Sequence, residues 1–237
     1  MMRRWLEGWR LCRGLEPVIE YPDAYAAVLR LPGRDRELFT RTDDAATVDR
    51  LASSLPEETW LTVTTQTGDR VAGQLLAAGV EPFDERKTLM SIDLQHHPHP
   101  YPPPHPQGVQ RAQVGQAGDG YRLRLGSDGP LEYVHLLTWD GAVAAHGMAA
   151  IVGSDAVMHD IQTDPAHRRR GLGSVVMGAL AGRGIERGAR TGLLMATTDG
   201  FHLYRRLGWT AEATMVTASG ARLGPVRSDL GPVLAGG

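Results

Sequence analysis

The chain has 237 residues, long for one typical domain and short for two large ones, so one large unit or two small ones are expected. Hydrophobic residues at 42% and charged residues at 22% exclude a disordered polyampholyte, and a net charge of -2 gives no global attraction to nucleic acid or acidic membranes. No run approaches ~18 consecutive apolar residues, so no bilayer span is expected. The opening MMRRWLEGWRLCRG lacks the apolar stretch of a signal peptide, and the single Cys12 cannot form an internal disulfide. Both features read as cytoplasmic.

In chain order, Trp5, Trp9 and Cys12 recur at i, i+4 and i+7, one stripe of a helix. Strands are predicted at Tyr25–Leu31 and Glu37–Arg41, a helix at Ala45–Leu55, and a strand at Trp60–Thr65. A helix at Arg70–Ala78 and a strand near Lys87–Leu94 follow. Residues 95–108 read QHHPHPYPPPHPQG. Successive prolines forbid helix and ladder pairing and favour an extended polyproline segment. Four of the nine histidines fall in this tract, but it holds no Cys or carboxylate, so it reads as a semi-rigid linker and no metal site is assigned. The domain division is therefore 1–94, a small α/β unit; 95–108, the linker; and 109–237, a second unit whose sheet packs together with that of the first.

Beyond the linker, Tyr121–Leu125, Glu132–Trp139, Val143–Val152 and Ala156–Thr163 read as strands of an antiparallel meander, separated by Asp- and Gly-containing turns. The period then changes. Leu172, Val175, Val176, Ala179 and Leu180 form an apolar helical face that ends near Arg187-Gly188. Thr191–Thr198 is a nearly continuous apolar run, as a buried central strand requires. A helix at Phe201–Leu207 and a strand at Ala213–Ala218 complete the order, and the Gly/Pro-rich stretch from Ser219 reads as a loose tail.

The informative junction runs from His159 to Ser174, HDIQTDPAHRRRGLGS. A strand enters a turn that carries Gly171 and Gly173, and a long helix follows. The first N–H groups of such a helix have no partners inside it, and with the helix dipole they form an anion site that glycine lets a phosphate approach closely. Arg168, Arg169 and Arg170 add positive charge at that mouth.

This window closely resembles motif A of the GNAT superfamily of acyl-CoA-dependent N-acyltransferases. The match is Thr163-Asp164-Pro165 followed by Arg168-Arg169-Arg170-Gly171-Leu172-Gly173. It continues through LLMATT to Leu203-Tyr204-Arg205-Arg206-Leu207-Gly208-Trp209, similar to the family's Leu-Tyr-x-x-x-Gly-Phe signature. The resemblance implies an α/β (α+β) GNAT fold, a mixed central sheet with helices on both faces, here preceded by a small α/β domain. It implies acetyl-CoA as co-substrate, with no metal, and direct transfer of the acetyl group to a primary amine. Ile161, Gln162 and Thr163 would pair with the pantetheine arm, Arg168 through Ser174 (Arg168, Arg169, Arg170, Gly171, Leu172, Gly173, Ser174) would hold the pyrophosphate, and Tyr204 would protonate the departing thiolate. The general base falls on His159, with Asp160 or a water relay as alternatives and His135 and His146 on neighbouring strands. These assignments assume that Val157, His159, Ile161 and Thr163 share one face of their strand.

Two departures from the family pattern are visible. Thr197-Thr198-Asp199-Gly200 stands where the family places an Asn, and between Gly108 and Glu132, where the family has its first strand and the two helices that wall off the acceptor, only a short strand fits. The first half is the candidate for that wall. Its strand–helix–strand–helix–strand order matches the second half, so it reads either as a degenerate GNAT-like copy or as an unrelated α/β lid. The partner expected is a small-molecule amine, with no nucleic acid and no membrane, for a monomer or homodimer; the alternatives are an acetyl-CoA-binding regulator or a protein-modifying acetyltransferase.

Overall fold

The structure is a computed structural model that describes residues 1–98 and 120–222. Most of the Pro/His tract and the end of the Gly/Pro-rich tail lie outside the described residues.

The chain opens with helix α1 (Met2–Cys12), which buries Trp5, Leu6, Gly8 and Trp9. A short strand β1 (Ile19–Glu20) precedes the hairpin β2 (Ala24–Leu31) and β3 (Arg34–Thr40). Helix α2 (Ala45–Ser53), strand β4 (Thr59–Thr65), helix α3 (Gly68–Ala77), and strands β5 (Val80–Pro82) and β6 (Lys87–Asp93) complete the first half. The second half begins with the meander β7 (Arg122–Asp128), β8 (Leu131–Leu137), β9 (Val143–Val152) and β10 (Asp155–Thr163). Helix α4 (Leu172–Glu186), strand β11 (Thr191–Ala196), helix α5 (Thr198–Arg206) and strand β12 (Thr210–Arg222) follow.

The strands form one sheet in the order β1-β2-β3-β4-β12-β6-β11-β10-β9-β8-β7, with β5 also pairing to β12. This corrects the expectation of two sheets that pack together. At the centre the halves exchange strands. β6, from the first half, lies antiparallel between β11 and β12, with Met195 opposite Leu89 and Thr214 opposite Thr88. β12, from the second half, lies antiparallel against β4, with Val216 opposite Val63. The physical reason is that β11 needs a partner on each side to satisfy its buried backbone, and one of those partners comes from the other half.

The two faces of this sheet carry different helices. On one face Leu61, Val63 and Val216 pack under α2 and α3, while Met90, Met158 and Leu194 pack under α4 and α5. On the other face Phe39, Leu89, Val157, Leu193 and Met215 pack under α1, with Trp5 and Trp9 stacked at 5.4 Å between centroids. Helices on both faces are thus observed. Helix α1 crosses from the first half onto β9 and β10 of the second. At the far end of α4, the fully buried Glu132 of β8 accepts hydrogen bonds from Arg183 (2.8 Å), Arg187 (2.6 Å) and Ser127 (2.8 Å). Burial acts to raise its carboxyl, but these donors hold it below the ordinary value and tie the meander to α4.

Candidate functional site

β10 and β11 run parallel, and they pair only at Asp155–Thr191, Ala156–Gly192 and Val157–Leu193. Beyond Val157 the two strands part, although β10 stays paired to β9 as far as Thr163 and β11 stays paired to β6 as far as Ala196. The result is a wedge-shaped gap in the middle of the sheet, with one edge of β10 open over Ile161, Gln162 and Thr163. An extended molecule can add to that edge as a strand would.

The chain leaves the open end of β10 through a 3₁₀ turn, Pro165–His167, whose start is capped by Asp164 accepting from the Ala166 N–H at 2.8 Å. Arg168 Nε donates to the Thr163 carbonyl at 3.3 Å, folding the turn back onto the strand. Helix α4 then starts at Gly171, φ 78°, with no side chain capping it. Arg169 is also left-handed, at φ 61°. Left-handed residues in such a turn let successive N–H groups converge on an anion, and the uncapped helix end adds the positive end of its dipole. Arg170 donates to the Tyr121 hydroxyl at 3.0 Å, and that hydroxyl lies 2.8 Å from His167 Nδ1. The remaining faces of the three exposed arginines are open to solvent. A Cβ on Gly173 would lie 3.0 Å from Leu203 Cδ2 and 3.9 Å from Thr163 Oγ1, so the start of α4, the end of β10 and helix α5 meet there.

Helix α5 is capped by Thr197, whose Oγ1 accepts from the Gly200 N–H at 3.2 Å. The threonine therefore starts this helix where the family pattern has an Asn. One residue after Leu203, Tyr204 is buried, its ring 6.2 Å from that of Trp209. Burial pushes its phenol up to about 12, which keeps it protonated at neutral pH.

The strand carrying the candidate bases does not alternate as expected. Asp160 adopts φ 53°, and the pairing with β9 jumps from His159–Met148 to Gln162–His146, which inserts one extra residue. His159 therefore shares a face with Val157, which packs under α1, and with the exposed Gln162, whereas Ile161 packs against the α4 side with the core there. The expectation that Val157, His159, Ile161 and Thr163 share one face is corrected by this bulge. His159 is half-buried, and burial, followed by the positive charge of Arg13, lowers its imidazole below the ordinary value. Asp160 is exposed, accepts from Gln162 Nε2 at 2.5 Å, and lies 3.3 Å from His146 Nε2. His146 in turn stacks on His135 at 6.2 Å. Tyr204 and His159 thus stand on opposite faces of the sheet, with the gap between β10 and β11 as the passage from one to the other.

The corresponding place in the first half is closed. β3 and β4 pair in register from Arg36–Thr59 to Phe39–Thr62, with no parting of the strands before β3 ends. Helix α2 is capped by Asp44, which accepts from the Thr47 N–H at 2.9 Å, and Asp43 pairs with Arg70. A carboxylate occupies the helix start that an anion would need.

The sequence profile of the acetyltransferase (GNAT) family matches residues 92–209, the stretch that contains the gap, the open helix start and Tyr204. The chain belongs to the GNAT superfamily through this region. Among curated proteins no sequence matches the chain. Among solved structures, a GCN5-related N-acetyltransferase from Kribbella flavida superposes with a TM-score of 0.58 at 20% identity, covering 91% of this chain and 92% of that one. A GCN5-related N-acetyltransferase from Sphaerobacter thermophilus gives 0.56 at 16% identity over 85% and 78%. A tandem GNAT protein from the clavulanic acid biosynthesis pathway gives 0.54 at 13% identity over 87% and 83%. These likenesses show the GNAT fold.

Sequence reasoning missed the GNAT site's neighbours from the first half. Arg13, just past the end of α1, lies 5.4 Å over the Trp9 ring and within electrostatic reach of Arg34 and Glu37 of β3 and of Asp160 of β10. No periodicity announces such a residue, because its neighbours come from strands far away in the chain. Among the described residues no cluster of three or more His, Cys, Asp or Glu side chains is placed to hold a metal, and no helix is long and apolar enough to cross a membrane.

Proposed function

We propose that this protein is an N-acetyltransferase that moves the acetyl group from acetyl-CoA directly to a primary amine on a small molecule. GNAT membership supports acetyl transfer from acetyl-CoA in general. The observation that carries the reading is the parting of β10 from β11 beside an uncapped, glycine-rich start of α4. The open backbone of Ile161–Thr163 suits the amides of the pantetheine arm, and the N–H groups from Gly171 to Ser174, with Arg168–Arg170 around them, suit the pyrophosphate. The closed strands and Asp44 cap of the first half fit a degenerate copy that binds no cofactor, leaving the second half, 109–237, as the acetyltransferase domain.

In this reading His159, depressed by its burial, is a free imidazole at neutral pH and takes a proton from the acceptor ammonium, directly or through water. The amine lone pair attacks the thioester carbonyl, the N–C bond forms, the second N–H proton passes to solvent, and the C–S bond breaks. Tyr204 faces the departing sulfur. A phenol near 12 is a weaker acid than a thiol of reference value ~8.5, so its part is to donate a hydrogen bond to the thiolate as charge develops, and solvent completes the protonation. The experiment is thiol release from acetyl-CoA, with a mass shift of about 42 Da on the amine, compared between the native protein and Tyr204→Phe. Turnover is expected to fall roughly 10- to 1000-fold while acetyl-CoA affinity stays similar. Equal turnover at saturating substrates would take Tyr204 out of the reaction.

A further inference from the structure

On the α1 face of the sheet, a cavity of about 240 Å³ opens between the halves. Trp5, Trp9 and Phe39 form one apolar wall, in edge and stacked contact with one another, and Trp60 and Phe83 form another at 4.6 Å between centroids. The volume lies just below the ~300–1,000 Å³ of pockets for drug-sized ligands, which suits a metabolite.

Its charged groups are balanced. Glu37 and Glu85 line it together with Arg34 and Lys87. The Glu37 side chain is 5% exposed and is held by Arg34 and by Thr62 Oγ1 at 2.5 Å. The Arg34 guanidinium lies 4.1 Å over the Trp60 ring, and its Nε–H is buried without a hydrogen-bond partner. A simple cation would meet Arg34 and Lys87 as repulsion, and a simple anion would meet Glu37 and Glu85. A zwitterion on an apolar body meets both signs, its carboxylate drawn to Arg34 and Lys87 and its ammonium to Glu37 and Glu85.

The cavity is also placed for the reaction. Met195, on the part of β11 that no longer pairs with β10, contributes to its lining. The Arg13 guanidinium lies 5.4 Å over the ring of Trp9, which lines the cavity, and is within electrostatic reach of Asp160 on β10. We propose that this cavity is the acceptor pocket and that it takes an α-amino acid with a large apolar side chain. The proposal rests on the acetyltransferase reading for its use of the amine, but binding itself does not require that reading.

The test uses the full chain and two direct titrations. L-phenylalanine adds no tryptophan signal, so its binding can be read both by calorimetry and by the emission of Trp5, Trp9 and Trp60. Saturable binding is expected, weakened at least tenfold in Arg34→Lys, which keeps the charge and loses the planar guanidinium over Trp60, while 2-phenylethylamine, lacking the carboxylate, binds at least tenfold more weakly to the native protein. Phe83→Ala, at a half-buried wall position, should weaken L-phenylalanine as well, and it carries the test if Arg34→Lys does not fold. No binding of L-phenylalanine, or equal binding in the folded variants, overturns the pocket assignment; equal binding of 2-phenylethylamine overturns the zwitterion. Acetyl-CoA is titrated separately. Its failure to bind would remove the acetyltransferase reading, while the amino-acid titrations alone decide whether the cavity binds its ligand.

Discussion

Gly8 of α1 lies so close to Val157 of β10 that a Cβ on Gly8 would stand 2.2 Å from Val157 Cγ2 and 2.3 Å from its Cβ. The absence of a side chain is what lets the first helix of the chain lie flat on the strand that borders the gap between β10 and β11. Cys12, one turn on, extends the contact, its thiol 3.8 Å from the Val157 carbonyl. Burial pushes that thiol up to about 12, so it packs as an apolar group rather than acting as a nucleophile.

Gly8→Ala should therefore be destabilising, although alanine is the better helix former. Propensity favours the substitution by up to ~1 kcal/mol, but contacts under 3 Å with a β-branched residue cannot be relieved by rotating a flexible side-chain end. The helix must lift from β10, and overpacking of this kind costs about 1–3 kcal/mol. Urea unfolding of the full chain reads the change. A variant as stable as the native protein would mean that α1 does not rest on β10.

The exchanged strands predict that residues 109–237 cannot stand alone. Without β6, the edges of β11 and β12 that it joins are left without a partner, and without α1 the apolar side of Val157 and Leu193 is bare. That fragment should aggregate or lose nearly all transferase activity, and co-expression with residues 1–98 should restore soluble protein. A monomeric, fully active fragment would contradict the arrangement of the central strands.

Much of the fold is legible in the sequence itself. TGLLMATT reads as a central strand because both its faces are apolar, and β11 does lie between β6 and β10. The start of α4 is legible because Gly171 and Gly173 are needed there by backbone conformation and close approach. The placement of β6 is not legible: alternation in Lys87–Asp93 says which residues face the core, never which strand lies alongside. The bulge is hidden for a related reason, since a period of two carries no mark of the extra residue at Asp160. Glu37 and Arg34 look like surface residues of a strand in sequence, and side chains distant in the chain, Trp5 and Trp9 on one side and Phe83 and Met195 among the others, enclose the cavity around them.

His159 gives a pH signature of known sign. Its folded value lies below the ordinary ~6.5, chiefly from burial and then from Arg13, so on acidification the unfolded chain takes up the proton first. The stability it contributes is complete above ~6.5 and is lost as pH falls from there toward the folded value. Denaturant midpoints should thus decline over this window, and His159→Gln should flatten the decline. Some slope will survive, because His135 is lowered too, by burial, Arg124 and His146. The acid limb of the rate should lie below ~6.5 if His159 is the base. An unchanged stability slope in His159→Gln would show that its imidazole is not depressed in the folded protein.

The central claim is that acetyl-CoA lies in the gap between β10 and β11 with its pyrophosphate on the start of α4, and calorimetric titration of acetyl-CoA into the native protein and Gly173→Asp tests it most directly. Micromolar binding, about -8 kcal/mol, is expected for the native chain. Gly173→Asp sets a Cβ and a negative charge at the pyrophosphate, next to Leu203, and should weaken binding at least ~100-fold, about 2.8 kcal/mol, with the fold verified by thermal unfolding. Unchanged affinity in a folded Gly173→Asp protein would contradict the account.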